Sequence, residues 1–352
     1  MSKKTFVDAI LLLQNLIKIQ SFSGEENFTA DLIEEYFNKN KIPVNRKKNN
    51  IWTKNKFFDI KKPTLLLNSH HDTVKPNKSY TKNPFNPEIV DKKLYGLGSN
   101  DAGGALVSLI TAFKNFYEYP DLNYNIILAV TAEEEIAGKN SIRSIINELP
   151  KIDLAIVGEP TLMKLAIAEK GLIVFDGKIS GTASHAAHEN KDNSINKLPK
   201  IINWFNDFKF KKTSNVLGPV KTTITQIKAG SQHNVIPSEV EIVVDVRVNE
   251  LYTNEEIVNI LQKKAPCELI PRSLKLRSSS ISSEHKLVKA GLHLGKETYG
   301  SPTLSDQAHL DCPSLKLGPG DSKRSHIADE FIYIDEIKGG INFYIKLLKQ
   351  IL

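Results

Sequence analysis

The sequence predicts an α/β protein with a mostly parallel sheet flanked by helices, interrupted by a smaller α+β insertion. Three observations carry this. Apolar strands and helical repeats alternate through the first half of the 352 residues; acidic and imidazole side chains stand just past the ends of successive strands; and the pattern changes character after residue 174. Open α/β sheets hold their ligands beyond the carboxyl ends of their strands. A chain of this length exceeds one usual core and divides into domains.

Taken in order, Phe6, Ala9, Ile10, Leu13, Leu16 and Ile17 recur at helical spacing. Ser23-Gly24-Glu25-Glu26 reads as a capping box that opens a second helix carrying Leu32 and Tyr36. Residues 64–69 form a short apolar run leading into His70, a buried strand by its composition. Residues 102–116 are helical, 124–130 form a second strand ending at an acidic triplet, and 153–157 a third that stops at Gly158-Glu159. There follow a strand at 174–179, a helix at 196–208, strands at 221–227 and 240–248, a helix at 254–264 and a strand at 269–276. That order is the signature of an α+β unit with two helices on one sheet face. A Ser-rich stretch at 278–283 reads as a return linker, and residues 334–352 as a closing helix. The expected division is a larger domain at 1–173 and 280–352 with an inserted domain at 174–279.

Composition removes several classes of function. Lys and Arg number 47 against 40 acids, spread along the chain without interleaved aromatics, so a nucleic-acid groove is not expected; steering of a small anionic substrate is the simplest use of the surplus. No apolar block follows Met1-Ser2-Lys3-Lys4 and no apolar run is long enough to span a bilayer, so the expected setting is the cytoplasm, with no membrane partner. Cys267 and Cys312 lack metal-ligand spacing and read as two isolated thiols.

The chemistry lies in five short stretches. His70 and Asp72 are two apart at a strand end and point the same way, so Asp72 can fix one tautomer of His70 while a metal takes its other nitrogen. His71 points to the opposite face and is expected in an outer shell or in water. Asp101 opens the helix of Ala102-Gly103-Gly104, where free amides favour its ionised form; taken alone it is an N-cap, but its two oxygens can also bridge two cations. Glu133, Glu134 and Glu135 crowd three charges that need either cations or water. Neighbouring side chains diverge on such a turn, so Glu135 is assigned as a ligand, Glu134 as a general base and Glu133 to the outer shell. With Glu159 and His326 added, the inventory is that of a two-metal hydrolytic site.

In their order and spacing these residues resemble the dinuclear zinc amidohydrolase/exopeptidase family, which includes acetylornithine deacetylase, succinyl-diaminopimelate desuccinylase, aminoacylase and glutamate carboxypeptidases. The likeness covers essentially the whole chain. It implies that His70, Asp101 and Glu159 bind one metal and Asp101, Glu135 and His326 the other, with Asp72 orienting His70 and Glu134 taking the proton of the attacking water. It implies two divalent ions, zinc first, with cobalt or manganese sharing the ligand types.

The resemblance extends to the insertion. Gly181-Thr182-Ala183-Ser184-His185-Ala186-Ala187 is similar to the segment whose His, here His185, donates to the tetrahedral oxyanion, often across a homodimer formed through the inserted lid and dimerisation domain. Gly230-Ser231-Gln232-His233-Asn234-Val235-Ile236-Pro237 and Asp245-Val246-Arg247 resemble the segments that supply the substrate-binding Asn234 and Arg247. Gly318-Pro319-Gly320-Asp321-Ser322-Lys323-Arg324-Ser325-His326 is similar to the acetylornithine deacetylase branch, which makes Arg324 a candidate for a substrate carboxylate; a structural ion pair is its alternative. The chain departs from the family at Ala102-Gly103, at Glu133 and in lacking a Pro after Ala187, which touches subgroup rather than ligand types. The implied reaction is amide hydrolysis of an N-acyl amino acid, with N-acetyl-L-ornithine or an acetyl- or succinyl-citrulline in arginine biosynthesis placed first. Succinyl-diaminopimelate desuccinylase or a dipeptidase or carboxypeptidase of the same family is the alternative. A homologue that binds metal without turnover is a different class, and the presence of Glu134 beside the full ligand set argues against it.

Overall fold

The computed structural model describes residues 3–352. They separate into two compact units. The first comprises Met1–Ile167, Ser280–Tyr299 and Ser305–Leu352, and the second Ala168–Ser279 with Gly300–Leu304. The second unit opens six residues earlier than the boundary read from the sequence, because its first strand, Gly171–Ser180, starts ahead of the apolar run at 174.

In the first unit four strands run parallel at the middle of the sheet, in the order Asn125–Thr131, Thr64–His70, Leu154–Val157 and Ser314–Lys316. Antiparallel strands flank them, Asn50–Lys54 on one side and Leu165–Glu169 on the other. Parallel neighbours need crossovers, and the helix Gly104–Phe116 supplies the one between Thr64–His70 and Asn125–Thr131. Every residue of Thr64–His70 is buried. Leu65 and Leu67 pack with the helical layer that includes Ile110 and Phe113, while Leu66 faces Ile142 and Ile145 on the other side. Coverage of both faces is why this strand reads as a continuous apolar run. Because the strands are parallel, His70, Thr131 with the acidic triplet beyond it, and Val157 with Glu159 beyond it all reach the same sheet edge; His70 is in register with Thr131, and Asn68 with Val157.

Two local expectations are corrected. The regular helix begins at Gly104, and Ser99–Gly103 form a wider turn, with Asp101 in an extended conformation (φ −116°, ψ 101°). Asp101 is therefore not a helix cap. A side chain on Gly103 would collide with the Gly98 carbonyl, and one on Gly104 with Ile332, so this glycine pair is required for close packing. Nor does Ser23-Gly24-Glu25-Glu26 form a capping box. The helix Asn27–Lys39 starts without a side-chain cap. Ser23 Oγ donates instead to Asp72 (2.7 Å), and Glu26 accepts from the Gly24 and Glu133 amides (2.6 and 3.1 Å) and from Asn49 Nδ2 (2.8 Å). Both side chains are drawn to the buried polar network next to the sheet edge, where an unpaired group would cost more than a frayed helix start.

The second unit is a four-stranded antiparallel sheet in the order Lys221–Ala229, Glu239–Val248, Gly171–Ser180, Glu268–Pro271. Helices Ser194–Asp207 and Asn254–Lys264 cover one face, where Ile201, Phe205, Ile257 and Leu261 meet Phe175, Ile242, Val244 and Val246. Asn193 caps the first helix and a Thr253/Glu256 capping box the second. Among the described residues no helix is long and apolar enough to cross a membrane.

Candidate active site

At the carboxyl edge of the parallel strands the first unit gathers two sets of ligand-type side chains: His70, Asp101 and Glu159, and Asp101, Glu135 and His326. Within each set the ligand atoms lie within 4.8 Å of one another, and Asp101 belongs to both. His70 Nε2 is 3.4 Å from Asp101 Oδ1 and 3.7 Å from Glu159 Oε1. His326 Nε2 is 2.9 Å from Glu135 Oε2 and 3.7 Å from Asp101 Oδ2. His70 Nε2 is buried without a hydrogen-bond partner, an arrangement that costs free energy unless the atom serves as a ligand. One imidazole and one further carboxylate on each side of a shared aspartate suit divalent ions of zinc type.

Asp72 organises this edge. Its carboxylate lies 3.3 Å from His70 Nδ1 and accepts from the amides of Glu134 (3.1 Å) and Glu135 (3.2 Å). Asp72 thus holds His70 through its carbonyl, 3.1 Å from Nδ1, as well as through its carboxylate, and the carboxylate sets the path of the acidic turn. Glu133 takes a positive φ of 52°, which swings the chain away from the strand axis. Its carboxylate faces away from the ligand sets and accepts from the Asn140 amide (2.9 Å) and side chain (2.5 Å). Glu134 points inward, 3.8 Å from His70 Nε2. His71 is buried rather than solvated: its Nδ1 pairs with Thr29 Oγ1 (2.9 Å) and its Nε2 with the Asn49 carbonyl (2.8 Å).

Electrostatics follow from the crowding. Burial opposes charge on His70, yet Asp101, Asp72, Glu134 and Glu159 around it raise its pKa well above the ordinary value. The Glu135 contact pushes His326 up to about 9. Burial lifts Glu134 and Glu159 well above the usual carboxylate range, with other acids adding to it against the influence of His70. Two buried carboxylates escaped notice in the sequence. Asp306, raised to about 6 chiefly by burial, accepts from Thr131 Oγ1 (2.6 Å) beneath the acidic turn. Glu330 accepts from three amides, Gly98 (3.0 Å), Asn100 (2.8 Å) and Asp101 (2.9 Å). It clamps the turn that presents Asp101 to the segment that delivers His326. Spacing gave no cue to it, because its partners are backbone amides 230 residues away along the chain.

Arg324 is engaged through one of its nitrogens. Its Nη2 donates to Glu336 (2.6 Å) and its guanidinium stacks over Phe331 and Tyr333 at 5.1 and 5.4 Å, the contact of the ion-pair alternative, while its Nη1 is buried without a hydrogen-bond partner. His185, Asn234 and Arg247 belong to the second unit. There His185 is in register with Val235 on a short two-stranded ladder, and Asn234 accepts from the Ala186 amide (2.9 Å). Arg247 makes a two-point contact with Asp245 on its own strand (2.9 and 3.1 Å).

A parallel-sheet scaffold with paired imidazole-carboxylate sets sharing one aspartate defines a metal-dependent hydrolase. Residues 66–350 match the model of peptidase family M20/M25/M40, and the chain belongs to that family, whose members hydrolyse amide bonds. It is 29% identical over 381 aligned positions to a succinyl-diaminopimelate desuccinylase from Pelagibacter ubique, covering 97% of this chain and 98% of that one. It is 27% identical over 374 positions to an acetylornithine deacetylase from Buchnera aphidicola, with 97% of each covered. Most of the curated relatives at this level of similarity are desuccinylases. The fold is shared with a tripeptidase from Staphylococcus aureus (TM-score 0.79, 19% identity, 100% and 99% covered) and with a dinuclear metal binding peptidase from Bacillus subtilis (TM-score 0.73, 14% identity, 99% and 98% covered).

Two outcomes are expected. Burial holds His71 down at about 4, below its unfolded value, so the unfolded chain takes up that proton first as pH falls. Stability from this group is complete above about pH 6.5 and drains away towards its folded pKa, so that about 2 kcal/mol is lost between pH 7 and pH 5. Denaturant unfolding at both pH values should show this share missing in His71→Gln. For Glu330→Gln, calorimetric titration of the metal-free protein with zinc should give an affinity lower by about tenfold or more. Unchanged affinity would mean that the Asp101 turn holds its shape without the clamp.

Proposed function

We propose that this chain hydrolyses the amide bond of an N-acyl amino acid, with an N-succinyl substrate of the diaminopimelate type ahead of N-acetyl-ornithine. The observation that carries the reaction class is the shared Asp101 between the two ligand sets, with Glu134 beside them. The order of substrates rests on the names of the relatives, which outweigh the likeness of residues 318–326 to the acetylornithine branch and make the arginine-pathway reading the second choice. Such an acyl amino acid is an intracellular metabolite, so this reading goes with a cytoplasmic enzyme.

His70, Asp101 and Glu159 would hold one divalent ion and Asp101, Glu135 and His326 the other, zinc first with cobalt or manganese as alternatives. Such a pair, when bound, makes water acidic and the amide carbonyl electrophilic. Glu134 accepts the proton of the attacking water and passes it to the leaving amine nitrogen, a task favoured by the raised proton affinity that burial gives it. Asp72 keeps His70 in the tautomer that leaves Nε2 free. From the second unit His185 is proposed to donate to the oxyanion, and Asn234 and Arg247 to orient the substrate, Arg247 exchanging its Asp245 contact for a substrate carboxylate. A homodimer through the inserted unit is part of this reading.

The test is a panel of N-succinyl-diaminopimelate, N-acetyl-ornithine, N-acetyl-citrulline and dipeptides, each assayed with zinc, cobalt and manganese. The succinyl compound should show the highest kcat/KM; cleavage of dipeptides alone would sink the proposal. Glu134→Ala should keep its metal content while kcat falls by about a hundredfold or more, and a wild-type kcat would remove Glu134 from the base role. His185→Ala should lower kcat by about two orders of magnitude with metal content unchanged; an effect confined to KM would count against the oxyanion role.

A further inference from the structure

The second unit contains a cavity of about 550 Å³ where the chain leaving helix Ser194–Asp207 passes alongside helix Asn254–Lys264. None of its residues belongs to the ligand sets or to the segments resembling the substrate-binding motifs. Its walls are aromatic. Phe210 and Tyr252 are buried and meet edge to face at 5.7 Å, and half-buried Phe208 stacks on Trp204 at 4.6 Å and 17°. The backbone amide of Lys212 donates to the Tyr252 hydroxyl (2.8 Å), which fixes that ring.

The charge around these rings is one-sided. Four lysines line the cavity, Lys209, Lys211, Lys212 and Lys264, against one acid, Glu256. Two of the ammonium groups are occupied: Lys212 Nζ by the Leu251 carbonyl (2.9 Å), with Glu256 at 3.8 Å and the Tyr252 ring centre at 4.7 Å, and Lys209 Nζ by the Asn206 carbonyl (3.1 Å). Lys211 and Lys264 make no ion pair among the described residues, and Lys264 Nζ stands 5.7 Å from the Phe208 ring centre. The side chain of Asn259, one turn along the same helix face from Glu256, makes no hydrogen bond among the described residues and offers a donor and an acceptor. Aromatic surface next to unneutralised ammonium groups favours a ligand with a flat apolar body and a negative group, since the ring replaces water on the aromatic wall while the anion satisfies the lysines. The volume lies within the range of small-molecule sites.

We propose that this cavity is a binding site for a planar aromatic anion of about the size of a purine nucleoside monophosphate. Its ring lies against Phe208 and Tyr252, and its anionic group against Lys211 and Lys264. Calorimetric titration of the full-length protein with AMP, adenosine, inorganic phosphate and 2-naphthoate separates the contributions. AMP or 2-naphthoate should bind saturably with a dissociation constant of about 1 mM or tighter, and adenosine and phosphate about tenfold more weakly or not at all. Binding by AMP alone assigns the site to phosphates, and binding by 2-naphthoate alone to carboxylates; either supports the proposal. The variant carrying Lys211→Glu and Lys264→Glu, both at exposed positions, should lose binding while hydrolysis under the panel above stays unchanged. Failure of both aromatic anions to saturate, or equal affinity in the charge-reversed variant, overturns it.

Discussion

Several carboxylates cannot share a small buried space unless positive charge is set among them and their geometry is held from outside. Asp101, Glu134, Glu135 and Glu159 stand around two imidazoles at one end of a parallel sheet, and the proton affinities of His70 and His326 rise in response. Left to themselves these groups would splay into water. The fold prevents this by spending backbone amides on a second layer of acids: Asp72 receives two, Glu330 three and Glu26 two. Each acid of this layer ties a turn bearing a site residue to another part of the chain.

The parallel register makes that concentration possible. Since Asn125–Thr131, Thr64–His70, Leu154–Val157 and Ser314–Lys316 all point one way, each strand end contributes a turn at the same edge, and the distance in sequence between His70 and His326 becomes irrelevant. The glycines at 103 and 104 let the Asp101 turn settle against Gly98 and Ile332, so the shared carboxylate comes from a tightly packed corner. His326 itself sits at a positive φ of 61°, a conformation that costs a non-glycine residue about 1 kcal/mol and persists only where its surroundings impose it.

Much of this was legible beforehand, for identifiable reasons. Strands buried on both faces leave uninterrupted apolar runs, so Thr64–His70 and Asn125–Thr131 could be placed closely, and the residues just beyond them could be assigned to one edge. Glu133 was legible as an outlier because three adjacent acids cannot all face the same way. What pattern could not supply were contacts between a side chain and distant backbone. Glu330 and Asp306 bind amides or a hydroxyl whose positions exist only after folding. The same holds for Ser23 and Glu26, whose local spacing reads as a helix cap but whose partners lie across the sheet edge. Arg324 is ambiguous for the converse reason: a fork of donors suits a substrate or a neighbour equally, and Glu336 takes only one of its nitrogens.

One feature of the chain path bears on assembly. The clamp formed by Glu330 and the imidazole of His326 both come from a stretch synthesised after the whole inserted unit. During translation the earlier ligands emerge first, with no C-terminal partner to close the ring around them. Closure of the second set of ligand-type side chains is thereby deferred until this stretch has been made, and a fragment that stops short of it lacks both His326 and the Glu330 clamp.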